Sequence, residues 1–326
     1  MRVLVTGAGG FIGSHLTQQL LDAGHRVVAL VHYNGAGSWQ HLTNVARQHR
    51  DQLDVRLGDV TDAFFVRELV AGCDAVLHLA ALIGIPYSYI APASYVATNI
   101  HGTLNILEAC KLAKTARVIV TSTSEVYGTA RITPMEETHP LQGQSPYSAS
   151  KIAADKLAEA YFLSFNLPVV TLRPFNTYGP RQSARAVIPT VISQALAGAA
   201  TITLGSLRPR RDLTFVRDTA RAFLLAATTP NIEGETIHFG QGTANSVAEI
   251  AKLCLQAVGS QAKIVSDSLR TRPEKSEVEL LLCDRSKAER LLGWKPEVSL
   301  VEGIARTVEY MRMQPVPSDT IGRYQV

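Results

Sequence analysis

Tyr147 and Lys151 stand four residues apart in Tyr147-Ser148-Ala149-Ser150-Lys151. On a helix that spacing puts both side chains on one face. A tyrosine hydroxyl, with a pKa of about 10, is a poor base at neutral pH. An ammonium beside it favours the phenolate and makes it a usable base. A Tyr-x-x-x-Lys spacing alone is common by chance. Its weight comes from Thr121-Ser122-Thr123-Ser124-Glu125-Val126-Tyr127-Gly128, which closes a strand-like run with hydroxyls and a carboxylate. In doubly wound sheets, sites form at the carboxyl ends of strands.

A second constellation opens the chain. Thr6-Gly7-Ala8-Gly9-Gly10-Phe11-Ile12-Gly13 lies between an apolar run and a helical pattern. Glycines there let the backbone turn tightly and approach a pyrophosphate, and the helix N-terminus supplies free N–H groups. Directly after a strand, this is the context expected of dinucleotide binding. The end of the second strand is less usual. Val31-His32-Tyr33-Asn34 carries no acidic residue for the adenosine ribose and no Arg or Lys for a 2′-phosphate, so NAD and NADP both stay open. Asp59, in Gly58-Asp59-Val60, could accept from an adenine amino group or cap the helix expected from Thr61 to Leu69.

The elements that must hold these residues follow an α/β alternation. Strands are expected at Arg2 to Thr6, Val27 to Val31, Val55 to Leu57, Ala75 to Leu79, Arg117 to Thr121 and Pro168 to Leu172. Helices are expected at Phe11 to Ala23, Ala97 to Leu112 and Ser148 to Phe165. That order predicts a Rossmann-like, doubly wound parallel sheet. Beyond Pro180 the alternation weakens, and a smaller mixed α/β substrate-binding region is expected, ending in a helix from Leu300 to Met311. The division is 1–180 for the dinucleotide-binding domain, with the Tyr/Lys helix, and 181–326 mainly for the substrate-binding region.

Composition narrows the classes further. The 326 residues are 46% hydrophobic and 18% charged, enough for a packed core. A net charge of +4, with no basic cluster longer than Arg208-Pro209-Arg210-Arg211, argues against a nucleic-acid surface. No apolar run reaches the roughly 18 residues of a membrane span, and Met1-Arg2 leads straight into a strand, so a cytoplasmic protein is expected. Cys73, Cys110, Cys254 and Cys283 are far apart, which suits buried thiols better than a metal site or disulfides.

The chain resembles the extended short-chain dehydrogenase/reductases of the nucleotide-sugar epimerase/dehydratase group. The matching segments are Thr6 to Gly13, His78-Leu79-Ala80-Ala81, Thr98 to Asn105, the Thr123 segment, Tyr147 with Lys151, Arg173 to Arg181, Arg211 to Asp218, Arg272 and Leu292 to Pro296. The resemblance implies a bound NAD, or alternatively NADP. It implies cofactor contacts from Gly7, Gly10, Phe11, Ile12, Gly13, His32, Asn34, Asp59, Val60, Leu79, Ala80, Ala81, Asn99, Tyr147 and Lys151. Thr123 would bond the sugar 4-hydroxyl, Tyr147 would remove its proton, and Lys151 would hold the nicotinamide ribose. Substrate contacts would come from Tyr87, Asn176, Arg185, Val187, Arg211 and Arg272. For Arg211 the alternative is a solvated surface charge. His78 reads as a packed strand histidine, and Trp294 as packing for the C-terminal helix.

Glu125 bears on the reaction. A carboxylate beside a 4-keto sugar can remove the acidic C5 proton and allow the 6-hydroxyl to leave, as in the 4,6-dehydratases. Those pair the Glu with a preceding Asp, where this chain has Ser124, so the general acid stays open. Simple 4-epimerases usually carry a small or polar residue at the position of Glu125. A Thr-Ser-Glu triplet also occurs in UDP-glucuronate decarboxylases. Pro140 to Pro146, Arg181 to Pro189 and His32 to Trp39 resemble the UDP- or GDP-N-acetylglucosamine 4,6-dehydratases of legionaminic-type pathways. The resemblance thus implies a lyase on a nucleotide-diphosphate sugar, with epimerase and decarboxylase as alternatives. A non-catalytic cofactor-binding protein is disfavoured by the intact Tyr147 and Lys151. Ala- and Leu-rich helices at Ala97 to Leu112 and around Tyr147 imply a homodimer.

Overall fold

The structure is a computed structural model, and it describes residues 1–267 and 273–314. Twelve strands run through the described residues: β1 (Arg2–Thr6), β2 (Arg26–His32), β3 (Leu53–Gly58), β4 (Ala75–His78), β5 (Arg117–Thr121), β6 (Val169–Pro174), β7 (Asn176–Tyr178), β8 (Thr201–Leu204), β9 (Arg210–Phe215), β10 (Thr236–Phe239), β11 (Ala244–Ser246) and β12 (Lys263–Ser266). Seven of them form one parallel sheet in the order β10-β6-β5-β4-β1-β2-β3. Val3, Leu4 and Val5 are wholly buried, as continuous apolar strands must be when helices cover both faces. Leu16, Leu20 and Phe223, from helices Phe11–Asp22 and Val216–Thr228, pack one face. Val66, Ile106 and Ala158, from Ala63–Val70, Gly102–Ala113 and Pro146–Phe165, pack the other.

The strand order reverses at β1, whose neighbours are β2 and β4. A crevice therefore opens beyond the carboxyl ends of these strands. Residues after 180 contribute on both sides of it. β10 pairs in parallel with β6, Thr236 opposite Thr171, so the chain returns to the large sheet. β11-β9-β7 and β12-β8 form two small sheets over a separate core that includes Tyr178, Ile192, Phe215 and Ile250. Among the described residues no helix is long and apolar enough to cross a membrane. All four cysteines are buried, and none is in a disulfide.

Three local expectations need correction. The helix expected from Thr61 begins at Ala63, capped by Asp62, whose carboxylate accepts from Phe64 N and Phe65 N. The helix expected from Ala97 begins with a π-helical turn, Val96–His101, before the regular helix Gly102–Ala113. Trp294 is fully buried against Phe239, with ring centroids 5.3 Å apart, and donates to the Asp218 carbonyl at 2.9 Å. It packs the large sheet, not the C-terminal helix Leu300–Arg312.

Candidate active site

A cleft of about 840 Å³ runs from the glycine loop to the small sheets. Its first wall is the turn between β1 and helix Phe11–Asp22. Gly7 has φ +68°, and a Cβ on it would lie 2.9 Å from Ala80 N. A Cβ on Gly13 would lie 2.2 Å from the Gly7 carbonyl oxygen. Only glycine keeps this turn so close to the neighbouring strand end. Gly10 caps the helix without a side-chain hydrogen bond, so the first-turn N–H groups gain no partner from it. Gly7, Gly10, Phe11, Ile12 and Gly13 all line the cleft, as do Val60, Leu79, Ala80 and Ala81. A side-chain-free cradle at a helix N-terminus fits a dinucleotide's pyrophosphate.

Beneath the cradle, Thr6 Oγ1 accepts from Leu79 N and Ala80 N, each at 3.0 Å, so its one hydrogen points to His78 Nδ1 at 2.8 Å. The other ring nitrogen meets Thr103 Oγ1 at 3.1 Å. Burial pushes the His78 pKa down to about 3, and the ring is a neutral packing group.

At the other end of the cradle, His32 Nε2 lies 3.2 Å from Asp59 Oδ2, and both residues line the cleft. Asp59 also accepts from Thr61 N and Thr61 Oγ1. Burial alone would raise this carboxyl; the Thr61 bonds and His32 outweigh it and hold it below the usual aspartate range. Asn34 does not line the cleft. Its amide bonds Ser38 O, His32 O and Ser38 N, closing the loop after β2. Gln40, which sequence reasoning passed over, lines the cleft beside Gly9. It lies in an irregular loop with φ +52°, a position no periodicity marks.

Asn99 also departs from expectation. It is wholly buried, with Leu82 N donating to its Oδ1 at 2.9 Å and its Nδ2 donating to Leu82 O and Ser150 Oγ. Ser150 Oγ in turn donates to Tyr147 O at 2.7 Å. Asn99 thus clips the loop after β4 to the Tyr147 helix and does not face the cleft.

That helix, Pro146–Phe165, starts from a capping box made by Ser145 and Ser148. Tyr147 and Lys151 are both buried within it and both line the cleft. Burial raises the Tyr147 hydroxyl well above the ordinary range, opposed by a hydrogen bond from Thr123 and reinforced by the Glu125 carboxylate. Burial lowers Lys151 to about 8, with Asp155 pulling it back up, and Lys151 Nζ donates to Thr121 O at 2.6 Å. Thr123, Ser124 and Glu125 follow β5 in a tight turn, with Glu125 N donating to Thr123 Oγ1 at 3.2 Å. Among the described residues the Glu125 carboxylate makes no hydrogen bond or ion pair, although Glu125 is 7% exposed.

Toward the small sheets the cleft is lined by Tyr87, Asn176, Arg185, Val187 and Arg211. Asn176 Oδ1 is buried without a hydrogen-bond partner. Arg211 is not a freely solvated charge: its side chain is largely covered and pairs with Glu277 at 3.1 Å. Glu277 lines the cleft too, and nothing in its sequence context marked it. Arg272 lies outside the described residues.

The comparisons agree with this geometry. The profile for GDP-mannose 4,6 dehydratase matches residues 4–307. A dTDP-glucose 4,6-dehydratase from an Actinoplanes species is 33% identical over 317 residues, covering 96% of this chain and 98% of that protein. A UDP-glucose 4-epimerase from Mycolicibacterium smegmatis is 34% identical over 318 residues, covering 96% and 99%. A UDP-glucuronic acid 4-epimerase from Bacillus cereus, solved with UDP-glucuronic acid and NAD, superposes with a TM-score of 0.87. It is 32% identical, covering 96% of this chain and 99% of that one. Cradle, Tyr/Lys helix and end-to-end likeness together place the chain in the GDP-mannose 4,6 dehydratase family, the extended short-chain dehydrogenase/reductases that work as nucleotide-sugar dehydratases and epimerases.

Proposed function

We propose that the protein is an NAD-dependent 4,6-dehydratase acting on a nucleoside-diphosphate N-acetylhexosamine such as UDP- or GDP-N-acetylglucosamine. The observation that carries the reading is Glu125. Other carboxylates at or under the cleft are occupied: Asp59 by Thr61, Asp155 by Arg173, Glu277 by Arg211. Glu125 alone among these four stands unpaired, beside Thr123 and Tyr147. An unpaired carboxylate there suits proton removal from C5, which a plain 4-epimerase has no use for.

The glycine cradle, Leu79 to Ala81 and Lys151 would hold the cofactor. Solved relatives that hold NAD support NAD over NADP. Held there, NAD would supply a hydride acceptor for C4 and the matching donor for C6, so none would be consumed overall. Thr123 Oγ orients the sugar 4-hydroxyl, and Tyr147 Oη takes its proton. Lys151 Nζ, as an ammonium, favours the Tyr147 phenolate. Glu125 then takes the C5 proton, and Ser124 or Glu125 delivers a proton to the departing 6-hydroxyl. The segments resembling N-acetylglucosamine dehydratases support the substrate class, since Gln182, Ser183, Arg185 and Val187 line the cleft.

A 4-epimerase is the second reading, favoured by Ser124, where the dehydratases' acid would stand. Incubation with UDP-N-acetylglucosamine, GDP-N-acetylglucosamine, dTDP-glucose and UDP-glucuronate, read by mass, tests both. Loss of water from an N-acetylhexosamine substrate is expected. Unchanged mass with a new sugar configuration would establish the epimerase, and loss of carbon dioxide from UDP-glucuronate a decarboxylase.

A further inference from the structure

Lys151 has a second neighbour on its own helix face. Tyr147, Lys151 and Asp155 follow one another at four-residue spacing. Asp155 is buried and does not line the cleft. Its Oδ2 accepts from Ser122 Oγ at 2.7 Å and from two nitrogens of Arg173, Nε at 3.0 Å and Nη2 at 2.9 Å. Its Oδ1 is buried with no hydrogen-bond partner.

Behind Arg173 runs a chain whose direction the donors dictate. His238 Nε2 lies 2.5 Å from the Asp284 carbonyl oxygen, which can only accept. Nε2 therefore carries the hydrogen and Nδ1 accepts, from Tyr127 Oη at 3.0 Å. Tyr127 Oη in turn accepts from Arg173 Nη1 at 3.0 Å. Burial lowers His238 to about 4, which keeps the ring neutral, as this order requires. Tyr127 ends the tight turn that begins with Ser124 and Glu125. The network thus joins the Glu125 turn to the Tyr147 helix through β6 and β10, touching the cleft only at Ser122.

We propose that Asp155 is a positioning residue, backed by the Arg173–Tyr127–His238 chain, that keeps Lys151 charged under the reacting atoms and holds the Glu125 turn against the Tyr147 helix. The charges around Lys151 make the first role necessary. Tyr147 and Asp155 face it from its own helix, Thr121 O from β5, and neutral His78 from β4. Glu125 faces Tyr147 from the turn, and Arg173 faces Asp155 from β6. Of these groups only Asp155 is a buried carboxylate acting on Lys151, and it does so against burial, which drives Lys151 down to about 8. Without it, Lys151 and Arg173 would be two buried cations, and the lysine is the one that can release a proton. The alkaline limb of the rate profile, where Lys151 loses its proton, then moves to lower pH.

The inference rests on Tyr147 and Lys151 acting at C4, and not on the fate of the sugar afterwards. Its test is Asp155→Asn in the NAD-loaded protein, reading on-enzyme cofactor reduction and kcat from pH 6 to 9.5. The alkaline limb of both profiles should shift toward acid by roughly one pH unit, with KM unchanged because Asp155 lies outside the cleft. Profiles that keep their midpoints and lose only amplitude would overturn the role. Tyr127→Phe removes one hydroxyl and keeps the ring. It should leave the pH midpoints in place and lower kcat several-fold at unchanged KM; an unchanged kcat would overturn the positioning of the turn. That variant decides the matter if Asp155→Asn does not fold. If the wild type reduces no cofactor with any of the sugars, the reading of the reaction falls alone. The pH dependence of Lys151 acylation by an amine-directed reagent, read by peptide mass, then decides the inference, since its midpoint must fall in Asp155→Asn.

Discussion

Two residues in the cleft can be told apart by where each stops the reaction. On the proposed reaction, Tyr147→Phe removes the base at the 4-hydroxyl, so bound NAD should stay oxidised when the sugar is added. Glu125→Gln leaves that base and Lys151 intact and removes only the C5 base. A 4-keto sugar and reduced cofactor should then accumulate on the protein, visible as nicotinamide absorbance, while product formation falls by on the order of 10²–10⁴. Turnover of Glu125→Gln at the wild-type rate would make the 4-epimerase the better reading. These residues were legible in the sequence because their chemistry is tied to local spacing: Tyr147 and Lys151 by one helical turn, Glu125 by its place after β5. Asn99 and Asn34 misled for the complementary reason. An amide has donors and acceptor at one end, and only the fold shows whether these meet a ligand or, as here, the protein's own backbone.

At the scale of elements, Asp212 on β9 holds the small sheets to the large one. Its carboxylate accepts from Gln241 N at 2.6 Å, Gly242 N at 2.9 Å and Cys283 N at 3.1 Å. Burial pushes the carboxyl up to about 6 against those three donors. Asp212→Asn would turn an NH₂ toward N–H groups and leave one or more without an acceptor. A loss of about 1–3 kcal/mol is expected, read by urea denaturation at pH 7.5, and Arg211 next to it should bind the nucleotide sugar less well. A midpoint equal to wild type would show that the loops hold without it. The first six strands could be read from their apolar runs. β10 could not: Thr236–Phe239 is four residues long, interrupted by His238, and its burial comes from pairing with β6 more than sixty residues earlier. The π-helical turn at Val96–His101 was equally hidden, because its sequence is ordinary helix and its geometry follows from what Asn99 must reach.

At the scale of the whole molecule, the Tyr147 helix and the end of Gly102–Ala113 leave an exposed margin that mixes apolar residues with one ion pair. Helix Pro146–Phe165 buries Tyr147, Lys151, Asp155 and Ala158, while Ala149, Ala160 and Leu163 share an outward face with the Lys156–Glu159 ion pair, and Phe165 lies on another side beside Lys111. Leu163 is 71% exposed, Phe165 52%, and Leu112, at the end of Gly102–Ala113, 58%. Such a margin suits a two-fold interface, in which each helix lies against its counterpart. A stable dimer buries roughly 800 Å² per partner. Leu163, Phe165 and Leu112 cannot supply that alone, so the small residues Ala149 and Ala160 must lie in the contact and let the helices approach closely. The catalytic helix would then be pinned from behind by the second copy and from below by Asp155, which leaves Tyr147 little freedom to move. We expect a homodimer at micromolar concentration by light scattering. Leu163→Glu should lower the dimer fraction at least tenfold without lowering secondary structure, since placing a charge in a desolvated contact costs on the order of several kcal/mol. A wild type that is monomeric at that concentration would leave the margin without an occupant in a second copy of this chain, and the rigidity of the Tyr147 helix would then have to come from Asp155 and its network alone.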